Sequence, residues 1–83
     1  MYEVILTQKA ENQLKKLEKN IQERIIAVLE RVRIRPEIYF QRLVGEKLYK
    51  LRVGDYRVIA DINNTKLIIF IIKVGHRKNI YDK

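Results

Sequence analysis

Hydrophobic and polar residues alternate most regularly in the second half of the chain. Over residues 48–53, successive side chains of a strand would point to opposite faces. The hydrophobic residues on one face are Tyr49, Leu51 and Val53. Lys50 and Arg52 fall on the other face, so the segment is predicted to be a strand with a core face and a cationic face. We expect Tyr49, and Tyr56 in the next strand, to pack in the core.

A short turn follows this strand and sets its pairing. Residues 54–55 are Gly-Asp, and Gly in the first position of a two-residue loop is what a type II′ hairpin requires. The resulting register places Val53 opposite Tyr56 and Arg52 opposite Arg57. The pairing of these two strands is therefore predicted from the turn alone.

That register brings like charges together. Arg52 faces Arg57, and Lys50 lies one step along the same face. Like charges directly across a hairpin are destabilising, whereas an anion held between them would favour the arrangement, and the planar guanidinium of Arg fits phosphate. The Gly-His-Arg-Lys segment at 75–78 can add further cations. We favour a phosphate site; the alternative is a solvated basic face whose long side chains splay apart in water.

The arginines of this cluster are expected to contribute to function rather than to packing. We predict that the side chains of Arg57 and Arg77 project away from the sheet, so that removing either one creates no cavity.

The first half of the chain has the pattern of one strand followed by two helices. Residues 2–6 favour a strand. Thr7 can cap a first helix, and Asn20 with Glu23 resembles a capping box at the start of a second. Pro36 is predicted to end the second helix. Three cations fall in its closing turns, where they suit the helix dipole, and we assign them to the helix end: Arg31, Arg33 and Arg35.

Two connections complete the chain. Residues 36–47 lack a clean period and are predicted to be a loop with a turn at Gly45. Four of its side chains are expected to anchor it to the core: Ile38, Tyr39, Phe40 and Leu43. An Asn-Asn pair at 63–64 is predicted to close a second hairpin, with Asp61 opposite Lys66.

The predicted architecture is α+β. Residues 67–74 are hydrophobic on both faces, which indicates an interior strand. The order of elements is β-α-α-β-β-β, in which a helix hairpin packs on one face of a small, mostly antiparallel sheet. With 83 residues there is room for one core, so we predict a single domain over residues 1–83.

Composition removes several classes of function. The chain has no Cys and one His, so neither a disulfide framework nor a structural zinc site is expected, and we predict no metal and no cofactor. The longest hydrophobic run, residues 67–72, is too short to span a membrane, and we expect no association with a membrane. The N-terminus lacks the pattern of a signal peptide, so the expected location is the cytoplasm.

The positive charge is concentrated in the strand region. Residues 1–41 carry eight Lys and Arg against six Asp and Glu, whereas residues 42–83 carry ten against four. An excess of +6 in the second half, out of a net charge of +8, indicates a nucleic-acid-binding surface. An acidic protein partner is the other explanation, and the two are compatible.

The sequence resembles the RelE/ParE superfamily of bacterial and archaeal toxins. Two segments carry the resemblance, Leu-Arg-Val-Gly-Asp-Tyr-Arg at 51–57 and Val-Gly-His-Arg at 74–77. The resemblance spans nearly the whole chain and is closest to RelE. It implies a toxin that cleaves messenger RNA in the ribosomal A site without a metal: the ribose 2′-hydroxyl attacks the adjacent phosphate, leaving a 2′,3′-cyclic phosphate and a 5′-hydroxyl.

The resemblance also implies roles for individual residues. Lys50 matches the proposed general base, Arg52 a second basic residue, and Arg57 the arginine that binds phosphate. Arg77 matches an arginine near the leaving group, and Tyr81 resembles a tyrosine that stacks on a base. Three flanking residues are predicted to contact RNA: Lys47, His76 and Lys78. For His76, the alternative is a solvent-facing or hydrogen-bonded side chain at a strand end.

The same resemblance implies partners and leaves the target open. We expect a cognate acidic antitoxin similar to RelB, together with the ribosome and messenger RNA. The superfamily also includes ParE toxins, which bind DNA gyrase and have no nuclease activity. A ParE-like toxin and a non-catalytic RNA-binding module are therefore the alternatives to a RelE-type nuclease.

Overall fold

A computed structural model of the protein describes residues 1–80. Its elements, in chain order, are β1 (Glu3–Leu6), α1 (Gln8–Lys15), α2 (Lys19–Val32), α3 (Pro36–Tyr39), β2 (Gln41–Arg42), β3 (Tyr49–Val53), β4 (Tyr56–Asn63) and β5 (Ile68–His76). The predicted α+β class and the predicted order of the major elements are confirmed. The segment predicted to be a loop contains the short elements α3 and β2.

One five-stranded sheet organises the chain. Its strand order is β1-β5-β4-β3-β2. β1 pairs with β5 in parallel, and the three other pairs are antiparallel. β5 is therefore an interior strand, as its hydrophobic residues on both faces predicted.

The predicted start of α1 is confirmed, but that of α2 is wrong. The Thr7 hydroxyl accepts a hydrogen bond from the Ala10 N–H at 3.2 Å, which caps α1. α2 begins at Lys19 rather than after Asn20, and its N-cap residue makes no side-chain cap. The Gln22 side-chain amide donates instead to the Leu17 carbonyl at 2.7 Å. This hydrogen bond ties the first turn of α2 to the short connection after α1.

The main hydrophobic core lies between the helices and one face of the sheet. Its most completely buried large side chains come from α2, β4 and β5: Ile25, Val32, Val58, Ile69, Ile71 and Val74. Tyr49 and Tyr56 pack against this core, as predicted. None of the helices within residues 1–80 has the length and hydrophobic character needed to cross a membrane.

A second, smaller cluster lies on the opposite face of the sheet. It contains Leu43, Ile59 and Ile80, with Leu48 packed against it. Gly75 lies directly beneath it, and a Cβ at that position would lie 3.1 Å from Cγ1 of Ile80, so the isoleucine side chain would have to shift by a few tenths of an ångström. The face opposite the helices is therefore partly hydrophobic, not wholly cationic.

The loop prediction for residues 36–47 is half right. Phe40 and Leu43 are buried and Gly45 turns the chain with φ +78°. Ile38 and Tyr39, however, are 64% and 36% exposed. The cause is the single helical turn of α3, which begins with a buried proline and directs Phe40 inward while its middle residues face outward.

The second hairpin is longer than predicted. Asn63 pairs with Ile68, so Asp61 lies opposite Phe70 and not opposite Lys66. The Asn63 side chain accepts hydrogen bonds from the backbone N–H groups of Thr65 and Lys66. This side-chain turn makes a four-residue loop more favourable than a two-residue one.

A β-bulge in β5 reverses which of its side chains point toward the helices. Ile59 pairs with Lys73 and Ala60 with Ile71, so Ile72 is an extra residue in β5. Before the bulge the odd-numbered residues of β5 face the helices; after it the even-numbered residues do. Gly75 therefore faces away from the helices, on the side where Arg57 lies opposite it.

Two adjacent isoleucines of α2 test this packing. Ile25 is fully buried and Ile26 is 47% exposed. Replacing Ile25 with Ala is expected to lower the free energy of unfolding by about 2–5 kcal/mol, because it leaves a cavity in the core. Replacing Ile26 with Ala is expected to change it by less than about 0.5 kcal/mol. Urea denaturation measures both, and equal effects would contradict the orientation of α2.

Candidate active site

The β3–β4 hairpin has the predicted register. Val53 pairs with Tyr56 and Arg52 with Arg57. Gly54 has φ +58°, the conformation that a type II′ turn needs in its first position. The guanidinium of Arg24 from α2 lies against this turn, since a Cβ on Gly54 would be only 3.0 Å from its Nη1. The turn is therefore surrounded by cations from two elements.

Arg57 is the buried member of the cluster. It lies on the sheet face away from the helices, but its side chain is only 9% exposed, so the prediction that removing it creates no cavity is wrong. Its Nη1 donates to the carbonyl oxygens of Gly54, at 3.2 Å, and Tyr56, at 3.1 Å. Within residues 1–80, the ion pair observed joins Arg33 to Glu30, and no carboxylate neutralises Arg57.

Three predicted residues line one groove. The groove has a volume of about 420 Å³ and lies where β3 meets α2, α3 and β2. The strand cations that line it are Lys50, Arg52 and Arg57. Lys50 is half-buried and Arg52 is exposed, so the groove offers positive charge at several depths.

Arg77 lies beyond the end of β5, close to the hairpin turn. Its backbone N–H donates to the Asp55 carbonyl at 2.8 Å, and its side chain is exposed. It does not line the groove. The bond to Asp55 holds the segment after β5 beside the turn that connects Arg52 to Arg57, and so places Arg77 next to the cluster.

The other predicted RNA contacts lie apart from the groove. His76 faces the helices: its ring contacts Tyr56 edge to face at 5.4 Å, and its Nδ1 accepts a hydrogen bond from the backbone N–H of Lys78. These contacts correspond to the alternative considered for this residue. Lys47 and Lys78 are exposed in loops. Tyr81, predicted to stack on a base, lies outside the described residues.

Sequence reasoning missed three polar residues of the groove: Arg31, Tyr39 and Gln41. Arg31 was assigned to the helix end, and no local pattern in the sequence identifies it as a groove residue, because it reaches the groove only through the packing of α2 along β3. Tyr39 and Gln41 gave no periodic signal because one helical turn and a two-residue strand are too short to produce one.

The groove is suited to a polyanion. None of the lining residues within 1–80 is acidic, and four carry positive charge. Guanidinium groups bind phosphate oxygens through paired hydrogen bonds, and a lysine adds a compact point charge. Among residues 1–80, no group of three or more His, Asp or Glu side chains is placed to hold a metal ion.

Comparison with known proteins assigns the chain to a family. The profile of the ParE toxin of the type II toxin–antitoxin system parDE matches residues 4–81. The chain therefore belongs to this toxin family, within the RelE/ParE superfamily that the sequence resembles. A search of curated proteins found no significant match.

Solved structures of RelE toxins share the fold. The toxin in the crystal structure of the intact E. coli RelBE complex is 27% identical, with a TM-score of 0.77 over 92% of this chain and 96% of that one. A chain of the RelBE2 complex from Mycobacterium tuberculosis is 28% identical, with a TM-score of 0.79 over 92% of this chain and 98% of that one. A chain of the archaeal RelE–RelB complex from Pyrococcus horikoshii OT3 is 27% identical, with a TM-score of 0.76 over 95% of this chain and 98% of that one. The protein is thus a toxin of a toxin–antitoxin system with a RelE-like structure.

The charge conflict in the hairpin should be measurable. Replacing Arg52 with Gln removes repulsion from Arg57 and is expected to raise the free energy of unfolding by up to about 0.5 kcal/mol at low salt. The gain should shrink at high salt, because salt screens an exposed charge. Arg42, exposed on β2 opposite Tyr49, is the matched control.

Urea denaturation at two salt concentrations makes this measurement. The Arg42→Gln variant should show no comparable gain. A loss of stability in Arg52→Gln would show instead that Arg52 makes a favourable structural contact.

Proposed function

We propose that the protein is a ribosome-dependent endoribonuclease that cuts messenger RNA in the A site and so inhibits translation. The observation that supports this most directly is the convergence of Lys50, Arg52 and Arg57 on one groove, with Arg57 buried and unpaired by any carboxylate within residues 1–80. A buried cation is costly to a fold unless it is paired. We infer that a phosphate group of RNA is the missing partner.

The proposed reaction is an internal transfer at phosphorus. The 2′-oxygen of the ribose forms a bond to the adjacent phosphorus while the bond from phosphorus to the 5′-oxygen breaks. Lys50, in its neutral form, accepts the proton of the 2′-hydroxyl as a general base. The departing 5′-oxygen takes up a proton from solvent, while Arg77, the residue assigned next to it, stabilises its developing negative charge. The products are a 2′,3′-cyclic phosphate and a 5′-hydroxyl.

The arginines would stabilise the transition state. The phosphorane carries more negative charge than the phosphate from which it forms, so positively charged groups already held in place bind it more strongly. Arg57 is fixed by two carbonyl oxygens and needs no reorganisation. Arg52 faces it across the hairpin. Tyr81 is proposed to stack on a base beside the cut, and Lys47 and Lys78 to contact RNA outside the groove.

The ParE name of the matching family supports a second candidate, a toxin that binds DNA gyrase without cutting RNA. We favour the nuclease because the chain retains a lysine and two arginines around a groove large enough for a nucleotide. The similarity to RelE structures supports the same choice. The third candidate is a protein that binds RNA without cleaving it, and an experiment must distinguish it from the other two.

Two lysines on the same sheet face allow a controlled test. Lys50 in β3 and Lys73 in β5 both lie opposite Ile59, because their strands flank β4 on its two sides. Only Lys50 is among the groove-lining residues. Replacing Lys50 with Met is expected to reduce cleavage of translated transcripts by about 10²–10⁴-fold, because the general base is lost. Lys73→Met removes an equal charge and should cut normally. Primer extension on transcripts isolated from a translation reaction measures both.

Three outcomes would contradict the nuclease proposal in different ways. Intact transcripts together with trapped gyrase would identify a ParE-type toxin. RNA binding without cleavage by the wild-type protein would identify a binding module. Equal loss of cleavage in both lysine variants would show that total charge, and not a base at Lys50, is what matters.

We also propose that a small acidic antitoxin restrains this toxin in the cytoplasm. The E. coli, M. tuberculosis and P. horikoshii RelE proteins were each solved with an antitoxin. Here the net charge of +8 would attract acidic side chains, and exposed Ile38 could contact the hydrophobic residues of an amphipathic helix. The product of an adjacent acidic reading frame, co-expressed with the toxin, should co-purify with it and restore growth. Failure to bind would contradict the proposal.

A further inference from the structure

We propose that Tyr39 and Gln41 form a nucleobase-binding subsite next to the phosphate-binding cations, and that this subsite sets a preference for purines. The inference rests on the proposed function, since it assumes that RNA occupies the groove. It concerns a different part of the groove from the cation cluster, and it assigns a role to two residues that the proposed chemistry does not use.

The register of the sheet places Gln41 beside Lys50. These two residues are directly opposite each other in the antiparallel pair of β2 and β3. Side chains of such a pair lie on the same face, with Cβ atoms about 4.5–5.5 Å apart. A base contacted by Gln41 would therefore be close to a phosphate contacted by Lys50.

Tyr39 reaches the same groove from a rigid support. The buried Pro36 begins α3, and the Phe40 N–H donates to the Pro36 carbonyl at 2.9 Å, which closes the single turn. The Phe40 side chain is buried in the main core. Tyr39 and Gln41 thus flank a fixed residue, so neither side chain needs a large backbone movement to meet a ligand.

Both side chains have unused binding capacity. Within residues 1–80, neither the Tyr39 hydroxyl nor the Gln41 amide makes a hydrogen bond, and the aromatic contact observed joins Tyr56 to His76. Tyr39 is partly exposed and has Ile38 beside it in the groove lining. A tyrosine left exposed in a cationic groove offers a flat surface on which a base can stack.

The chemistry of Gln41 and Tyr39 indicates how a base is bound. The Gln41 side-chain amide presents a donor and an acceptor side by side, and each RNA base exposes a complementary acceptor and donor when it is unpaired. Gln41 therefore adds affinity without selecting the base. Stacking on Tyr39 binds any base, and purines more strongly because their rings are larger, so the subsite favours purines over cytosine and uracil.

The alternative is that both residues are ordinary features of the rim. Tyr39→Leu keeps a hydrophobic side chain but removes the aromatic face, and Tyr39→Phe keeps the face but removes the hydroxyl. Gln41→Met keeps the length of the side chain and removes both polar groups. Comparing the two Tyr39 variants separates aromatic stacking from the volume of the side chain. Gln41→Met separates hydrogen bonding to a base from packing, and none of the three variants changes the net charge.

The experiment measures binding and not cleavage. Four fluorescently labelled RNA hexamers, 2′-O-methylated so that they cannot be cut and differing in one central base, are titrated with the protein, and anisotropy gives each affinity. The wild-type protein is expected to bind the adenine and guanine hexamers about fivefold more tightly than the cytosine and uracil hexamers. Tyr39→Leu should remove that difference and weaken binding of the purine hexamers by about tenfold, and Tyr39→Phe should match the wild type. Gln41→Met should weaken binding of all four hexamers by a similar factor, about fivefold.

The results separate this inference from the proposed reaction. Equal affinity of the wild-type protein for all four hexamers would overturn the subsite, as would a purine preference that survives in Tyr39→Leu or an unchanged affinity in Gln41→Met. Any of these results leaves the nuclease proposal standing if transcripts are still cut. Conversely, a preference that depends on Tyr39 in a protein that cuts no RNA would support the subsite and reject the nuclease.

Discussion

The pairing of Arg52 with Arg57 is the constraint on which the proposed site depends. A two-residue turn with Gly54 at φ +58° fixes that register, so the two guanidinium groups are held on one face whether or not an anion is present. Burial then turns Arg57 back onto the Gly54 and Tyr56 carbonyls. The hairpin therefore positions positive charge in advance, which is how a site stabilises charge that develops during a reaction.

The two faces of the sheet have separate tasks. One face is covered by α1 and α2 and contains the main core, which supplies most of the buried hydrophobic surface. On the other face, the small cluster of Leu43, Ile59 and Ile80 covers the middle of the sheet and leaves the β3 side to the cations. Because stability is provided elsewhere, the β3–β4 hairpin can tolerate a like-charge pair.

Sequence reasoning succeeded where a local rule decides the structure. The Gly-Asp turn determined the register of Arg52, and hydrophobic residues on both faces identified β5 as an interior strand. It failed where distant contacts decide. Nothing local predicts the bulge at Ile72, which turns Gly75 toward the cationic side, or the burial of Arg57. Arg31 joins the groove only because α2 lies along β3, which is a property of the packed fold.

The chemical identity of the cut ends tests the central claim most directly. Transcripts translated in the presence of the toxin can be recovered and their new termini analysed by mass spectrometry. Attack by a 2′-hydroxyl with Lys50 as base requires a 2′,3′-cyclic phosphate on one fragment and a 5′-hydroxyl on the other. Fragments ending in a 3′-hydroxyl and a 5′-phosphate would contradict this chemistry, and uncut transcripts would contradict the nuclease itself.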